Sequence, residues 1–401
     1  MLLQTILNNR YNFKSFVYDS CVFLREYQKI IITILPRKNG IAVCSHCGLK
    51  APLYDKRKER DFEFIPLWGI KVFFRYQMRR VHCSKCGVIV ERVPWASGKR
   101  TLTDAFSCVL ADWAKSLSWK ETAERFNVSW QKVFNAVEQV VNWGLVNRDL
   151  SDITAIGVDE ISYRIGHRYL TLVYQINTGA KRLLWAGKDR TVRTLLQFFI
   201  EFGKDRSSKL EYVCSDMWRP YLKVIRKKAP QAIHVLDRFH IVQKINKAID
   251  EVRAQEVRAL AETGKEPLLK NARWCLLKRQ ENLTEKQDVK LSELVKYNLR
   301  SVRAYLLKED FDGLWHYVSP TWAGKFIDSW TTRAMRSQIE PMKKIAKMIR
   351  RHKPLILNWF KAKGSMSSGV VEGLNNKIKV TMKKAYGFRC SYRLKTPPLP
   401  G

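Results

Sequence analysis

The sequence predicts a multidomain protein in which a cysteine-rich module and a pair of helices precede a mixed α/β domain. Three observations support this fold class: two Cys-x-x-Cys pairs within residues 41–95, a helix–break–helix pattern within residues 100–147, and short apolar runs carrying acids from residue 152 onward. The chain has 401 residues, of which 46% are hydrophobic. Because domains usually contain about 100–200 residues, this length allows two or three domains.

The charge balance indicates a polyanionic partner. Lysine and arginine number 73 against 37 aspartates and glutamates, which gives a formal net charge of +36. So large an excess repels itself in a compact protein unless a polyanion or counterions are present. Nucleic acids fit this requirement because their phosphates release counterions when basic side chains neutralise them. No apolar run reaches the roughly 18 residues of a membrane-spanning helix, so we expect no membrane partner.

The start of the chain bears on its compartment. The segment MLLQTILNNRYNFKSF lacks the basic-then-apolar order of a secretory signal. We therefore expect a cytoplasmic protein in a reducing environment. Its nine cysteines are then metal ligands or buried thiols rather than disulfides.

Four of the cysteines have metal-ligand spacing. Cys44 and Cys47 lie in CSHCG, and Cys83 and Cys86 lie in CSKCG, each pair followed by glycine. Two intervening residues let both sulfurs reach one ion, and the glycine permits a positive φ after the turn. Four thiolates fill a tetrahedral Zn²⁺ site with no open position, which is a structural site. Buried thiols or a redox pair are the alternatives, and the duplicated motif favours zinc.

Residues 118–141 predict two helices separated by a short break. Ser118 and Glu121 have the spacing of a capping box, and Ser129 is placed to cap the second helix. Such a pair is typical of a helix-turn-helix, in which the second helix enters the DNA major groove. The alternative is a helical hairpin with a packing role only. The residues expected at the exposed end of the second helix, as DNA contacts, are Trp130, Gln131, Lys132 and Asn135.

Acids follow several apolar runs in the second half of the chain. We expect strands ending at Asp159, Asp216 and Asp237, with two further strands (169–177 and 182–187) and a helix (191–203) between the first two acids. Three successive strands, a helix and a parallel strand with an acid are typical of a mixed sheet of the ribonuclease-H kind. Acids at the ends of adjacent strands meet at one edge, where a divalent cation can bind. Taken singly, such an aspartate is more often a turn or cap residue.

A late segment, VVEGLNNKIK, supplies another acid. On a helix beginning near Gly369, one buried stripe contains Val371, Leu374, Ile378 and Met382, and the next contains Glu372, Asn376, Lys379 and Lys383. With two of the strand-end aspartates, Glu372 would be the third carboxylate ligand of a metal site. The residues that follow it on the same stripe, Asn376, Lys379 and Lys383, would bind DNA. Phosphodiester chemistry uses ions about 3.5–4 Å apart, and carboxylates suit Mg²⁺ or Mn²⁺. The alternative is an acid that complements the helix dipole.

These stretches resemble a known family. GVDE, SDMWRPYLKVIRKKAPQAIHVLDRFHIVQKINKAID and VVEGLNNKIKVTMKKAYGFR, with the preceding Cys-x-x-Cys pairs, are similar to bacterial insertion-sequence transposases of the DDE type, ISL-three group. The resemblance implies a ribonuclease-H-like catalytic domain with Asp159, Asp216 and Glu372 as its metal-binding triad. It implies that Asp237 and His240 support the site or the DNA. Asp237 is the alternative second acid, although the match favours Asp216.

The resemblance also implies a domain plan. An N-terminal segment (1–40) precedes a zinc ribbon (41–95), a helix-turn-helix (100–147), a catalytic domain (152–390) with a helical insertion at about 240–360, and a tail (391–401). The implied function is binding of the element's terminal inverted repeats, Mg-dependent cutting at its ends and joining to target DNA. We expect a homodimer or higher homo-oligomer on double-stranded DNA, associated with the bacterial nucleoid.

Two other functions remain open from the sequence. A non-catalytic DNA-binding regulator could be built from the zinc ribbon and the helix-turn-helix without using the acids. A ribonuclease-H-like nuclease could use the acids without strand transfer.

Overall fold

The computed structural model describes residues 3–164, 168–177, 179–263, 268–362 and 369–384. The chain divides into two compact units, Met1–Arg148 with Val380–Gly401, and Asp149–Lys379. Among the described residues, no helix combines the length and the apolar character needed to cross a membrane.

A five-stranded sheet forms the first part of unit 1. Its elements are α1 (Leu3–Arg10), β1 (Phe16–Leu24), β2 (Lys29–Pro36), β3 (Leu53–Leu67), β4 (Ile70–Cys83) and β5 (Gly87–Val90). The strand order is β1-β2-β4-β3, and β5 pairs with β4. One apolar cluster includes Phe16, Ile32, Phe74 and Trp95. The N-terminal 40 residues therefore share a sheet and a core with the segment between the cysteine pairs.

Three helices follow the sheet: α2 (Asp104–Trp113), α3 (Trp119–Arg125) and α4 (Trp130–Asn147). The sequence correctly places the cap of each of the last two. Ser118 and Glu121 form a capping box on α3, and Ser129 accepts a hydrogen bond from the Lys132 amide at the start of α4. The buried stripe of α4 includes Val133, Val137 and Val141, which pack with α2 and α3.

Unit 2 contains a second five-stranded sheet. Its strands are β6 (Ala155–Arg164), β7 (Arg168–Gln175), β8 (Arg182–Lys188), β9 (Tyr212–Ser215) and β10 (Ile233–Leu236), in the order β10-β9-β6-β7-β8. The first three strands are antiparallel, whereas β9 is parallel to β6 and β10 is parallel to β9. The intervening helices are α5 (Val192–Phe202), α6 (Lys204–Ser208) and α7 (Arg219–Lys228).

All three expected strand ends need correction. Strand β6 does not end at Asp159 but continues to Arg164, because its second half pairs with β7. Asp159 instead lies where the parallel pairing with β9 stops, since the last β6–β9 pair joins Val158 to Ser215. Strands β9 and β10 end one residue before Asp216 and Asp237, and Asp237 caps the next helix.

A long helical segment follows β10. It contains α8 (Arg238–Glu262), α9 (Arg273–Leu277), α10 (Glu285–Val295), α11 (Arg300–Asp312), α12 (Pro320–Arg336) and α13 (Glu340–Lys361). These helices have their own apolar core, with Phe311, Trp330 and Ile349 fully buried. The last described element is α14 (Gly369–Lys384). On α14 the side chains of Val371 and Ile378 are buried, whereas Glu372 is exposed.

Candidate active site and candidate metal centre

The four predicted cysteines converge in unit 1. Their Sγ atoms all lie within 4.8 Å of one another, and no other such group of potential metal ligands occurs in the described ranges. Cys44 and Cys83 are buried. The glycines behave as expected, because Gly48 and Gly87 have φ values of 75° and 71°. Four sulfur donors at one point are the ligand set of a structural zinc ion, so the residues present fit that ion.

The four thiols differ in acidity. A hydrogen bond from the Cys47 backbone amide lowers the pKa of Cys44 to about 6. Burial and the neighbouring thiols raise the pKa of Cys86 to about 12. Negative charge therefore collects first on Cys44. A cation at the centre is required before all four sulfurs can be thiolates together.

The strand register of unit 2 places three aspartates at one level. Ser215 on β9 pairs with Val158 on β6 and with Leu236 on β10. The residue after each member of this row is an aspartate: Asp159, Asp216 and Asp237. We call this row the acid edge.

Asp159 is held from several directions. Its Oδ1 accepts a 2.8 Å hydrogen bond from the Glu160 amide, and its Oδ2 accepts a 2.5 Å bond from Nδ2 of Asn375. Burial raises the pKa of Asp159, and the charges of Asp237 and Asp216 act in the same direction. The hydrogen bond from Glu160 and the nearby His240 oppose this shift. The carboxylate is therefore in an environment that a cation would stabilise.

Asp216 is held by an arginine that the sequence reasoning missed. Its Oδ1 accepts a hydrogen bond from the Trp218 amide at 3.0 Å, and Arg190 Nη2 lies 2.9 Å from its Oδ2. The same guanidinium reaches Glu160 Oε1 at 2.8 Å and lies 4.5 Å from the centre of the Trp218 ring. Burial, and next the charge of Asp216, raise the pKa of Glu160 to about 8. Arg190 follows β8 by two residues, and nothing in its local sequence identified it.

Asp237 and His240 form a short motif at the start of α8. Asp237 Oδ1 caps the helix by accepting the Phe239 amide at 2.7 Å. His240 Nε2 lies 3.5 Å from Asp237 Oδ2 and 3.9 Å from Asp159 Oδ1. The helix turn therefore places this imidazole between two carboxylates of the acid edge.

Val371 and Asn375 of helix α14 contact the sheet. Val371 packs on Gly157, where an added Cβ would lie 2.5 Å from Val371 Cγ2, so glycine is required for this close approach. Asn375 is buried, and its Oδ1 accepts a 2.5 Å hydrogen bond from the Tyr174 hydroxyl while its amide donates to Asp159.

The predicted triad is only partly assembled. Glu372 lies on the turn before Asn375 and is exposed. Asp159, Asp216 and Glu372 do not form a group with all ligand atoms within 4.8 Å, within the ranges that the structure describes. The contact from α14 to Asp159 is made by Asn375, which the sequence reasoning missed. The three predicted DNA-binding residues of this helix, Asn376, Lys379 and Lys383, are exposed.

The predicted DNA contacts of α4 differ in their exposure. Trp130, Gln131 and Asn135 are exposed, and the Gln131 amide donates to Asn135. Lys132 instead directs its ammonium to the buried carboxylate of Glu63, at 2.6 Å. Lys132 is thus engaged within unit 1.

Comparison with known proteins identifies the family of the chain. A family model described as "Transposase", for the DDE type of the ISL-three group, matches residues 156–396, more than half of the chain. The chain is 32% identical over 391 residues to the transposase for insertion sequence element IS1557 of Mycobacterium tuberculosis, covering 90% of this chain and 86% of that protein. It is 28% identical over 352 residues to the transposase for insertion sequence element IS1001 of Bordetella parapertussis, covering 87% and 86%. The chain therefore belongs to the DDE transposases of bacterial insertion sequences, ISL-three group.

Proposed function

We propose that this transposase cuts DNA at the ends of its insertion sequence and joins them to target DNA, with Asp159, Asp216 and Glu372 as the metal-binding acids. The observation that carries the proposal is the row of aspartates after the pairs Val158–Ser215 and Ser215–Leu236. The strand order β10-β9-β6-β7-β8, with its antiparallel and parallel halves, supports a ribonuclease-H-like assignment for this domain.

The acid edge fits divalent cations of the Mg²⁺ or Mn²⁺ kind. Carboxylate oxygens are the donors that these ions prefer. Burial and neighbouring negative charge raise the pKa of Asp159, so this site favours a compensating positive charge. When bound, such ions would activate the attacking oxygen and stabilise the leaving oxygen of a phosphodiester. Asp159 and Asp216 would hold them, with Glu372 completing the set.

The chain's own residues orient these acids. Arg190 and the Trp218 amide fix both oxygens of Asp216. Asn375 ties α14 to Asp159, so Glu372, on the preceding turn, needs a local movement of its side chain or helix rather than a new fold. We propose that bound DNA and cation draw Glu372 toward the acid edge. His240 is placed between Asp159 and Asp237, where it would carry a proton or contact a phosphate.

Unit 1 supplies the proposed DNA-recognition modules. The four-cysteine cluster would hold structural zinc as a zinc ribbon, and α3 and α4 would form a helix-turn-helix that binds the terminal repeats. Trp130, Gln131 and Asn135 are exposed on α4 and would be its DNA contacts. We further propose assembly of at least two subunits on DNA, because two element ends must be joined.

A strand-transfer assay tests this function. The protein is given a pre-cut, labelled element end, a target plasmid and Mg²⁺, and joined product is measured. Wild type should join the element end to the plasmid. Asp159→Asn and Glu372→Gln should each reduce the amount of joined product by more than the about 10–100-fold loss that is typical of residues that only support a metal ligand. The matched control is Asp205→Asn, an exposed acid of the same unit, which should retain activity.

The outcomes separate the rival functions. Cleavage of an uncut end without any joined product would indicate a nuclease. A wild type that binds the terminal repeats but yields neither cleaved nor joined product, with the same binding in both acid variants, would indicate a non-catalytic regulator. Either result would overturn the proposal.

A further inference from the structure

A basic cleft lies in unit 2 beside the edge strand β10. It has a volume of about 700 Å³ and is lined on one side by α7 and on the other by α13. The β10 wall contributes His234, whose backbone carbonyl accepts a 2.9 Å hydrogen bond from Asn358 Nδ2 of α13. This hydrogen bond ties α13 to β10 beside the cleft.

The charge of the cleft is of one sign. Four basic side chains line it, Arg219, Lys223, Arg226 and Arg351, and no acid is among the lining residues. All four are exposed. Within the described part of the chain, none of them forms an ion pair with a carboxylate, although lysines and arginines form seventeen such pairs elsewhere. A cluster of unpaired cations facing one space is a site for several negative charges.

The walls between these cations are apolar. Leu222, Ile225 and Leu355 line the cleft together with Pro220. Two histidines, His234 and His352, also line the cleft. Burial lowers the pKa of His234 to about 4, so its imidazole is neutral near pH 7. A ligand suited to this lining alternates negative charges with apolar surface. A nucleotide chain does so, through its phosphates and its bases.

The position of the cleft relates it to the acid edge. Arg219 begins α7, three residues after Asp216, and Val192, another lining residue, follows Arg190 by two positions. Arg190 is the residue that contacts Asp216. Two residues that line the cleft therefore lie within three positions of Asp216 or of its partner Arg190.

We propose that this cleft binds a single DNA strand through its phosphates, next to the phosphodiester that reacts at the acid edge. The proposal rests on the proposed function for the identity of the polyanion. The cleft has the volume of small-ligand sites, which is about 300–1,000 Å³, so it has room for a short piece of one strand and not for a whole duplex. A strand freed by cutting at an element end is the form of DNA that fits.

The test is a salt titration of DNA binding by the full chain, without added magnesium. Fluorescence anisotropy is measured with a labelled single-stranded oligonucleotide and, separately, with a fully paired duplex. The cleft variant is Arg219→Gln, Arg226→Gln and Arg351→Gln combined. The matched control removes the same charge from three exposed lysines outside the cleft: Lys227→Gln, Lys286→Gln and Lys296→Gln.

The expected result is specific to single strands. Each neutralised phosphate contributes about 0.7 to the slope of log Kd against log salt for a single strand, so the cleft variant should lower that slope by about 2. The control should lower it by less than 1, and duplex binding should change equally in both variants. A charge-retaining variant with lysine at the three arginine positions should keep the wild-type slope.

Two results would overturn the proposal. One is a cleft variant whose single-strand slope equals that of the control. The other is a cleft variant in which the slope falls, relative to the control, by the same amount for the duplex as for the single strand, which would indicate a general electrostatic surface. Since these measurements involve no catalysis, inactivity in the strand-transfer assay would leave their interpretation unchanged and would count only against the proposed function. Thermal unfolding of each variant shows whether its fold is retained.

Discussion

The two candidate metal sites of this transposase differ in how complete they are before any ion binds. In unit 1 the four cysteine sulfurs already lie within 4.8 Å of one another. In unit 2 the aspartates of the acid edge are separately held, Asp159 by Asn375 and Asp216 by Arg190. Glu372 is exposed on α14. The thiols thus converge on one point, whereas the acids are bound to protein groups.

The difference follows from the chemistry of each site. A structural zinc site has no open position and is satisfied by its ligands alone. A catalytic carboxylate site must also admit DNA, so part of its ligand set can be ordered by the substrate. Until DNA binds, Arg190 keeps Asp216 oriented and Asn375 keeps Asp159 oriented. The comparison predicts that disturbing the first site affects folding, and that disturbing the second affects metal use and catalysis.

The largest expected effect is loss of the thiol cluster. Cys83→Ser should abolish bound zinc and remove the unfolding transition of unit 1, because structural zinc contributes about 10–16 kcal/mol in zinc-finger peptides. Zinc content and calorimetry measure this, with Cys108→Ser as the control, since Cys108 is exposed and outside the cluster. Absence of zinc from the wild type, or an unfolding transition of unit 1 that is the same in the Cys83 variant and the wild type, would contradict a structural zinc site at the four sulfurs.

A smaller effect is expected from the contact between α14 and the acid edge. Asn375→Leu leaves the Tyr174 hydroxyl and one Asp159 oxygen without their partner, which costs about 1–3 kcal/mol. We expect strand transfer to fall about 10–100-fold, as for other residues that orient metal ligands, and the magnesium concentration for half-maximal rate to rise.

The matched control for this contact is Gln255→Leu, which removes an exposed carboxamide from α8 of the same unit. A purely structural role would be revealed if Asn375→Leu lowered stability but kept the wild-type magnesium dependence.

The smallest effect concerns His234, which lies beneath the acid edge and bonds to the Ser215 hydroxyl at 2.8 Å. Burial lowers its pKa to about 4, so the folded state excludes a proton that the unfolded chain accepts below about pH 6.5. Stability from this residue is therefore full above pH 6.5 and is lost as the pH falls toward 4. In urea unfolding, the free energy of unfolding should fall by about 1 kcal/mol between pH 7 and 5.5, and this fall should be smaller in His234→Gln. An identical pH dependence in both proteins would contradict this assignment.

Sequence reasoning was most successful where the signal is local. The capping box of Ser118 and Glu121, the cap at Ser129 and the glycines after each cysteine pair depend on residues a few positions apart. The buried positions of α14 at Val371 and Ile378 follow from helical periodicity.

The contacts within the acid edge were harder to predict. Asp159 lies within a strand, and its position at the edge follows only from the register between β6 and β9. The partner of Asp159 on α14 is 216 residues away, and the partner of Asp216 follows β8. Such pairs depend on the folded sheet, and no spacing rule identifies them.

We propose that Asp159, Asp216 and Glu372 hold divalent cations together when DNA is bound. The most direct measurement is anomalous scattering from Mn²⁺ in a crystal structure of the protein with a pre-cut element end. We expect manganese at the acid edge with oxygens of all three residues as ligands, and Glu372 turned inward from its exposed position. Manganese bound elsewhere, or bound at the acid edge while Glu372 stays in solvent, would contradict it.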